Sequence, residues 1–374
     1  ILHVTGNGVI AGTDGLRIDN NEIVALAGKT VADGIVLVPG FDKGALDRVY
    51  LTGNRLRGQR GHGIVVQQRL GRAIFKSNSI ENTVGGALVM DVGASADYLS
   101  IEGNQFANLG VGFNSAALPF FGVLLIAVKR ADVVGNLFAN VARQAVVSPL
   151  RVAIMAMASG ELRVAGNRLF GIGPLASFIR RTIGIGVTPG FTDVAVDDNT
   201  VARVETDADK VSVAEWQAIL IIGSLRGDLL QNYASIMAAP GLVMLPLKSG
   251  VAYLSAGKID LLNAARGSVM VRGNRLHGHT SQIPTADILE VQCCLFDQND
   301  IRVTDGSSFG RLAGRILGDH ASVANNRFAG SDDTVIFELV RKPKYSVLGN
   351  LSTGPILVNL TALPSPWDDL NVLI

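Results

Sequence analysis

Cysteine is almost absent: Cys293 and Cys294, adjacent in the chain, are the only two in 374 residues. That excludes a disulfide framework and any metal site built from four thiolates. Neighbours in a strand face opposite ways, so one buried and one outward thiol is expected. Aromatic residues are scarce as well, with two Trp and five Tyr. Sugar clefts stack their ligands on such rings, so the scarcity weighs against a long polysaccharide groove. Charge of one sign is missing too: the net charge is +1 and the basic residues are scattered, which gives no track for nucleic acid. The longest uncharged apolar run, LPFFGVLLIAV from Leu118, has 11 residues, too few to cross a bilayer; it reads as a buried strand. The opening ILHV has no Met, no basic leader and no cleavage pattern, and reads as the interior of a longer protein. Preceding residues or another chain are expected to cover that end.

What is abundant is glycine, 43 residues, and a short recurring phrase. VVGNLFAN from Val133 returns as LTGNRLRG from Leu51, FKSNSIEN from Phe75, IEGNQFAN from Ile101, VAGNRLFG from Val164 and VRGNRLHG from Val271. Its Asn marks Asn21, Asn54, Asn78, Asn104, Asn136, Asn167, Asn199, Asn232, Asn274, Asn299, Asn326 and Asn350, at intervals of 24 to 42 residues. Such a period signals a solenoid. Helical repeats would need long stretches of period 3.6, and none occur. Between the markers lie short runs such as GIVVQQ, GALVMD, AILIIG and TVIFEL, bounded by Gly, Asn, Asp and Ser, which read as strands and turns.

Each Asn-bearing strand is therefore followed by a second strand and a turn, and coils stack at the interstrand spacing of about 4.8 Å. About 12 coils give a rod roughly 55 to 60 Å long at that spacing. In a stack each corner recurs above itself, so the amide of Asn54, Asn78, Asn104, Asn136, Asn167, Asn199, Asn274, Asn299, Asn326 or Asn350 donates to one neighbour and accepts from another. The Gly before many of them supplies the turn conformation. The apolar residue two positions later points inward, and the residue between, such as Arg55 or Arg168, points out.

This pattern, over essentially the whole chain, resembles the right-handed parallel β-helix proteins of the pectin-lyase-like superfamily. The resemblance implies an all-β, right-handed solenoid over residues 1–354, with lateral insertions near 111–121, 205–216 and 233–270. Residues 355–374, with two prolines and an apolar end, are expected to form a cap or docking tail. The fold hosts lyases, hydrolases, epimerases, tailspikes and non-catalytic parts, so it does not choose a function. The composition is also similar to bacterial β-helix repeat proteins of phage-tail or injection particles. That likeness implies an extracellular or particle-bound setting, protein partners, and assembly into oligomers.

The search for chemistry starts at RGHGIVV, because polygalacturonases of this fold carry Gly-His-Gly. Their paired aspartates and Arg-Ile-Lys segment are missing around His62, which leaves a structural role as the expectation. The pairs Asp197-Asp198, Asp332-Asp333 and Asp368-Asp369 diverge in an extended chain and do not face one bond. Asp91, Glu290 and Glu338 are too far apart in the repeat to gather calcium. His277 and His279 share a strand face without a third ligand, so no metal or cofactor is expected. GIGPLA from Gly171 matches a dinucleotide fingerprint in letters but has no helix after it. Trp216, in the acid-rich piece ETDADKVSVAEWQ, is expected to pack over the solenoid wall, with binding through a lateral loop, a glycan as the ligand, as the alternative.

The expected function is a non-catalytic structural or interaction module. The alternative is a lyase, hydrolase or epimerase of uronic-acid glycans using His62, Arg69 and Asp91.

Overall fold

The computed structural model describes residues 2–373 except 5, 27–31, 40–44, 92, 158, 175–180, 204–215, 225–265, 280–282, 305–310, 331–334 and 341–343. Among the described residues there is no helix, and the strands stack in parallel as a β-solenoid. Three strand positions recur in each turn of the chain, where the sequence suggested two. Strands such as Arg55–Arg57, Ser79–Thr83, Gln105–Leu109 and Leu137–Val141 form a first wall, a 13-stranded sheet. The second wall holds Ile64–Val66, Leu88–Met90, Phe120–Ile126, Leu150–Met157, Arg181–Val187 and Trp216–Ile222. The third holds Arg69–Lys76, Ser95–Glu102, Val128–Val134, Glu161–Ala165, Asp193–Asp197 and Ser268–Arg272.

The two long strands Ala286–Asp297 and Arg311–Ala324 run through both the second and third walls, which joins them as one 22-stranded sheet. Their pairing slips between Leu289 and Val291, where Glu290 takes a positive φ of 53°. A one-residue bulge there bends the ribbon around the corner without ending the strand.

The corner between third and first walls explains the recurring phrase. The residue before each Asn has a left-handed backbone: Gly53, Gly103, Gly135, Gly166, Gly273 and Gly349 lie at φ from 59° to 68°. Glycine adopts that region without a Cβ clash. Behind it each Asn is buried and makes the same bonds. The Asn136 carboxamide oxygen accepts from the backbone N–H and Nδ2 of Asn104, both at 2.9 Å. Its Nδ2 donates to Asn167 Oδ1 at 2.9 Å and to the Ile101 carbonyl at 2.8 Å. The inward residues two positions on, Leu56, Ile80, Phe106, Phe138, Leu169, Leu276, Ile301 and Phe328, are at most 2% exposed. Phe106 and Phe138 pack ring to ring at 4.9 Å, and Phe328 and Phe337 at 4.6 Å.

The amide series runs unbroken from Asn21 through Asn54, Asn78, Asn104, Asn136, Asn167, Asn199, Asn274, Asn299, Asn326 and Asn350 to Asn371. One correction and one addition follow. Asn199 bonds Asn274 directly, across 75 residues, so Asn232, which lies outside the described residues, is not the rung between them. Asn371, in the stretch expected to form a cap or docking tail, is a further rung. There Val372 and Leu373 pair with Leu351 and Ser352, and Ile356–Val358 pairs with Phe337–Leu339. Among the described residues only the short turn back through Thr361–Ala362 is antiparallel.

Of the suggested lateral insertions, residues 110–119 are a turn-rich connection between Gln105–Leu109 and Phe120–Ile126. Most of the other two lies outside the described residues. Their edges do not protrude: Trp216 begins a second-wall strand and Ser268–Arg272 is a third-wall strand.

Candidate functional site

His62 stands just before the second-wall strand Ile64–Val66. Its backbone N–H donates to Asp33 Oδ1 at 2.6 Å, and its ring Nδ1 accepts the N–H of Gly86 at 2.9 Å. The imidazole thus ties one coil to the next and must be unprotonated at Nδ1 to do so. Burial lowers its pKa below the usual histidine value, opposed by the carboxylates of Asp33 and Asp91. Asp91, exposed at the end of Leu88–Met90, accepts from Gln67 Nε2 at 3.5 Å. His62 and Asp91 therefore sense each other's charge.

Arg69 does not join them. It starts a third-wall strand, and its Nη2 lies 3.2 Å from Asp97 Oδ2, while Lys129 Nζ lies 2.7 Å from Asp97 Oδ1. The hydrogen bond from Lys129, then that from Arg69, holds the Asp97 carboxyl below the ordinary aspartate range. The candidate triad is thus a pair near one corner and a third residue engaged on another wall.

Trp216 is 1% exposed, and its indole N–H donates to the His277 carbonyl at 2.7 Å. A ring with both faces packed in the core offers no face to a sugar. The signal was present in the sequence: WQAILII is a strand-like apolar run that begins at the Trp.

From Phe120–Ile126 to Trp216–Ile222 the second wall is buried on both of its faces. On its outer side Phe121, Leu124, Val152, Met155, Ile183 and Leu220 form a second apolar cluster, separate from the interior. It passes into polar partners at Asp287, which is fully buried. Arg315 donates to Asp287 through Nε and Nη2, both at 2.9 Å, and Gln217 Nε2 adds a bond of 3.2 Å. Glu290, also buried, lies 3.8 Å from Arg266. Removing Arg315 would strip the fully buried Asp287 of its bidentate donor, which is strongly destabilising for a buried carboxylate.

Among the described residues no three His, Cys, Asp or Glu side chains gather closely enough to hold a metal ion. Asp197 is buried, with its carboxyl raised by desolvation, while Asp198 holds the left-handed corner position at φ 52°. Asp332 and Asp333 lie outside the described residues, and Asp368 and Asp369 are exposed. Cys293 is exposed, Cys294 buried, and both are free thiols; burial drives the Cys294 pKa far upward.

Sequence reasoning missed a trough of about 480 Å³ on the outer third wall, lined by Asp132, Glu161, Arg163, Asp193, Met270 and Cys293, among others. Its depth comes from Ala195 and Ser268, small outward residues set among longer ones. No local motif announces it, because its lining comes from strands up to 163 positions apart in the chain, from Arg130 to Cys293, and meets only through coil register. Compared with known proteins, the chain matches no family model, no curated protein and no solved structure.

Proposed function

We propose that this chain is a rigid, non-catalytic spacer or surface scaffold within a larger assembly. The observation that carries the reading is the unbroken amide series from Asn21 to Asn371, which ties every described turn to the next. A right-handed winding goes with it, because parallel strands of one sheet are connected almost always with that hand. Side chains that a catalyst would keep free are committed to the lattice: His62 to Gly86 and Arg69 to Asp97.

An enzyme acting on uronic-acid glycans is the second reading. It draws on His62 and Asp91, which sit close enough at one corner to influence each other's charge. Assay of a panel of acidic polysaccharides for unsaturated uronate and new reducing ends separates the two. The scaffold reading predicts no product above the blank, and steady turnover overturns it; turnover lost in His62→Ala would assign the chemistry to His62.

A further inference from the structure

We propose that the trough on the third wall is a docking site for a cationic aliphatic group, the side chain of a lysine on a partner protein. Glu161 and Asp193 are Cα partners on adjacent strands, so their carboxylates stand directly opposite each other. Like charges in that relation destabilise a sheet unless a cation sits between them. Arg130 reaches Glu161 only at 3.9 Å, and Asp193 has no ion pair or side-chain hydrogen bond among the described residues. Of the other charges facing the trough, Asp132 accepts the Tyr98 hydroxyl at 2.9 Å, and Arg163 lies in the field of the buried Asp197. The acids outnumber the bases, and Asp193 is the carboxylate left to bind.

The chemistry changes along the axis. From Asp193 the outward positions run through Ser268 to Cys293, with Met270 and the 39% exposed Leu295 alongside. Two strand spacings separate Asp193 from Cys293, about 9.6 Å. An ammonium held at Glu161 and Asp193 therefore lays its carbon chain against Met270 and Leu295 and ends near the Cys293 thiol. A lysine side chain has that form: a strongly hydrated point charge on a four-carbon stem. The scaffold reading enters only in naming a protein as the source of the amine.

Cys293 reports occupancy, since it is the exposed thiol and Cys294 is buried. Alkylation of Cys293 by iodoacetamide is followed in the presence of hexylammonium, N-acetyl-lysine amide, hexanoate or hexanol. Saturable slowing by the two amines is expected, with hexanoate and hexanol without effect. In Glu161→Gln/Asp193→Asn the labelling rate without ligand stays at the wild-type value, showing an intact wall, while half-protection needs about tenfold more amine. Equal protection by hexanoate or hexanol, undiminished protection in the double variant, or no protection by either amine overturns the proposal. Glycan turnover would defeat the scaffold reading and leave this labelling result untouched.

Discussion

At a ladder position each residue is asked for two things at once, an acceptor for the coil before and a donor for the coil after. A carboxamide supplies both in one short side chain, with an oxygen that accepts two bonds and a nitrogen that donates two. Asn136→Ala strands the backbone N–H and Nδ2 of Asn104, the Ile101 carbonyl and part of Asn167. Loss of about 2 to 4 kcal/mol of unfolding free energy is expected in denaturant titration. Asn136→Asp keeps the acceptor but loses the donor and buries a charge. It should cost more than Ala at neutral pH and recover partly on acidification, when the carboxyl regains a proton.

The position before the ladder makes the opposite demand, for no side chain. Gln298 holds it at φ 55°. Gln298→Gly should raise stability by about 0.5 to 1 kcal/mol, less than the full left-handed penalty because glycine also loosens the unfolded chain. A drop in melting temperature would contradict this.

His62 also belongs to this scale. Its folded pKa lies below the unfolded value of 6.5, so its stabilising contribution is complete above that pH and is lost as pH falls through the folded value. Stability should decline below about pH 6.5 by an increment that His62→Gln removes. An unchanged acid limb in the variant would show that protonation of His62 is not what destabilises the fold there.

Among the elements, the instructive comparison is between what the sequence declares and what only stacking decides. The ladder, its glycines and the inward residues from Leu56 to Phe328 were legible, because each depends on neighbours in one short phrase. The third wall was not. Its strands run straight into the corner, with one residue before the Asn, so Leu46–Thr52 and Arg55–Arg57 read as a single strand. Asn232 fits the phrase locally, and nothing local reveals that Asn199 reaches past it to Asn274.

A second ladder was written in plain view. Asn82, Asn108 and Asn140, four residues after ladder asparagines, adopt φ of 58°, 51° and 56°. Asn108 donates to Asn82 at 3.1 Å and Asn140 to Asn108 at 3.2 Å. The final Asn of SNSIEN, GNQFAN and GNLFAN was its signal.

Gly63 tests packing between elements, because a Cβ there would meet Ile80 Cγ2 at 2.5 Å and the Ala87 carbonyl oxygen at 2.7 Å. The Gly-x-Gly-Ile phrase is therefore a spacing device where the chain enters the second wall. Gly63→Ala should cost about 1 to 3 kcal/mol, and a neutral result would mean that the two walls can part there.

The molecule as a whole is a stack whose length follows from its rungs, roughly 50 to 55 Å from Asn21 to Asn371 at the strand spacing. Its walls differ in use. The corner where the third meets the first carries the ladder, the second buries an apolar cluster and the Asp287–Arg315 pair on its outer face, and the third leaves its outer face open with the trough. A stack of this kind is rigid along its axis because every backbone layer bonds the next, which is the property the proposed spacer role requires.

The claim beneath all of this is that vertical amide pairing sets the register, including the step over the insertion between Asn199 and Asn274. A double-mutant cycle on those two residues, measured by equilibrium unfolding, tests it most directly. The account predicts that Asn199→Ala and Asn274→Ala are each destabilising, that their effects are coupled by about 1 kcal/mol or more, and that the coupling survives in an Asn232→Ala background. Strict additivity of the two, or a coupling that vanishes when Asn232 is replaced, would contradict it.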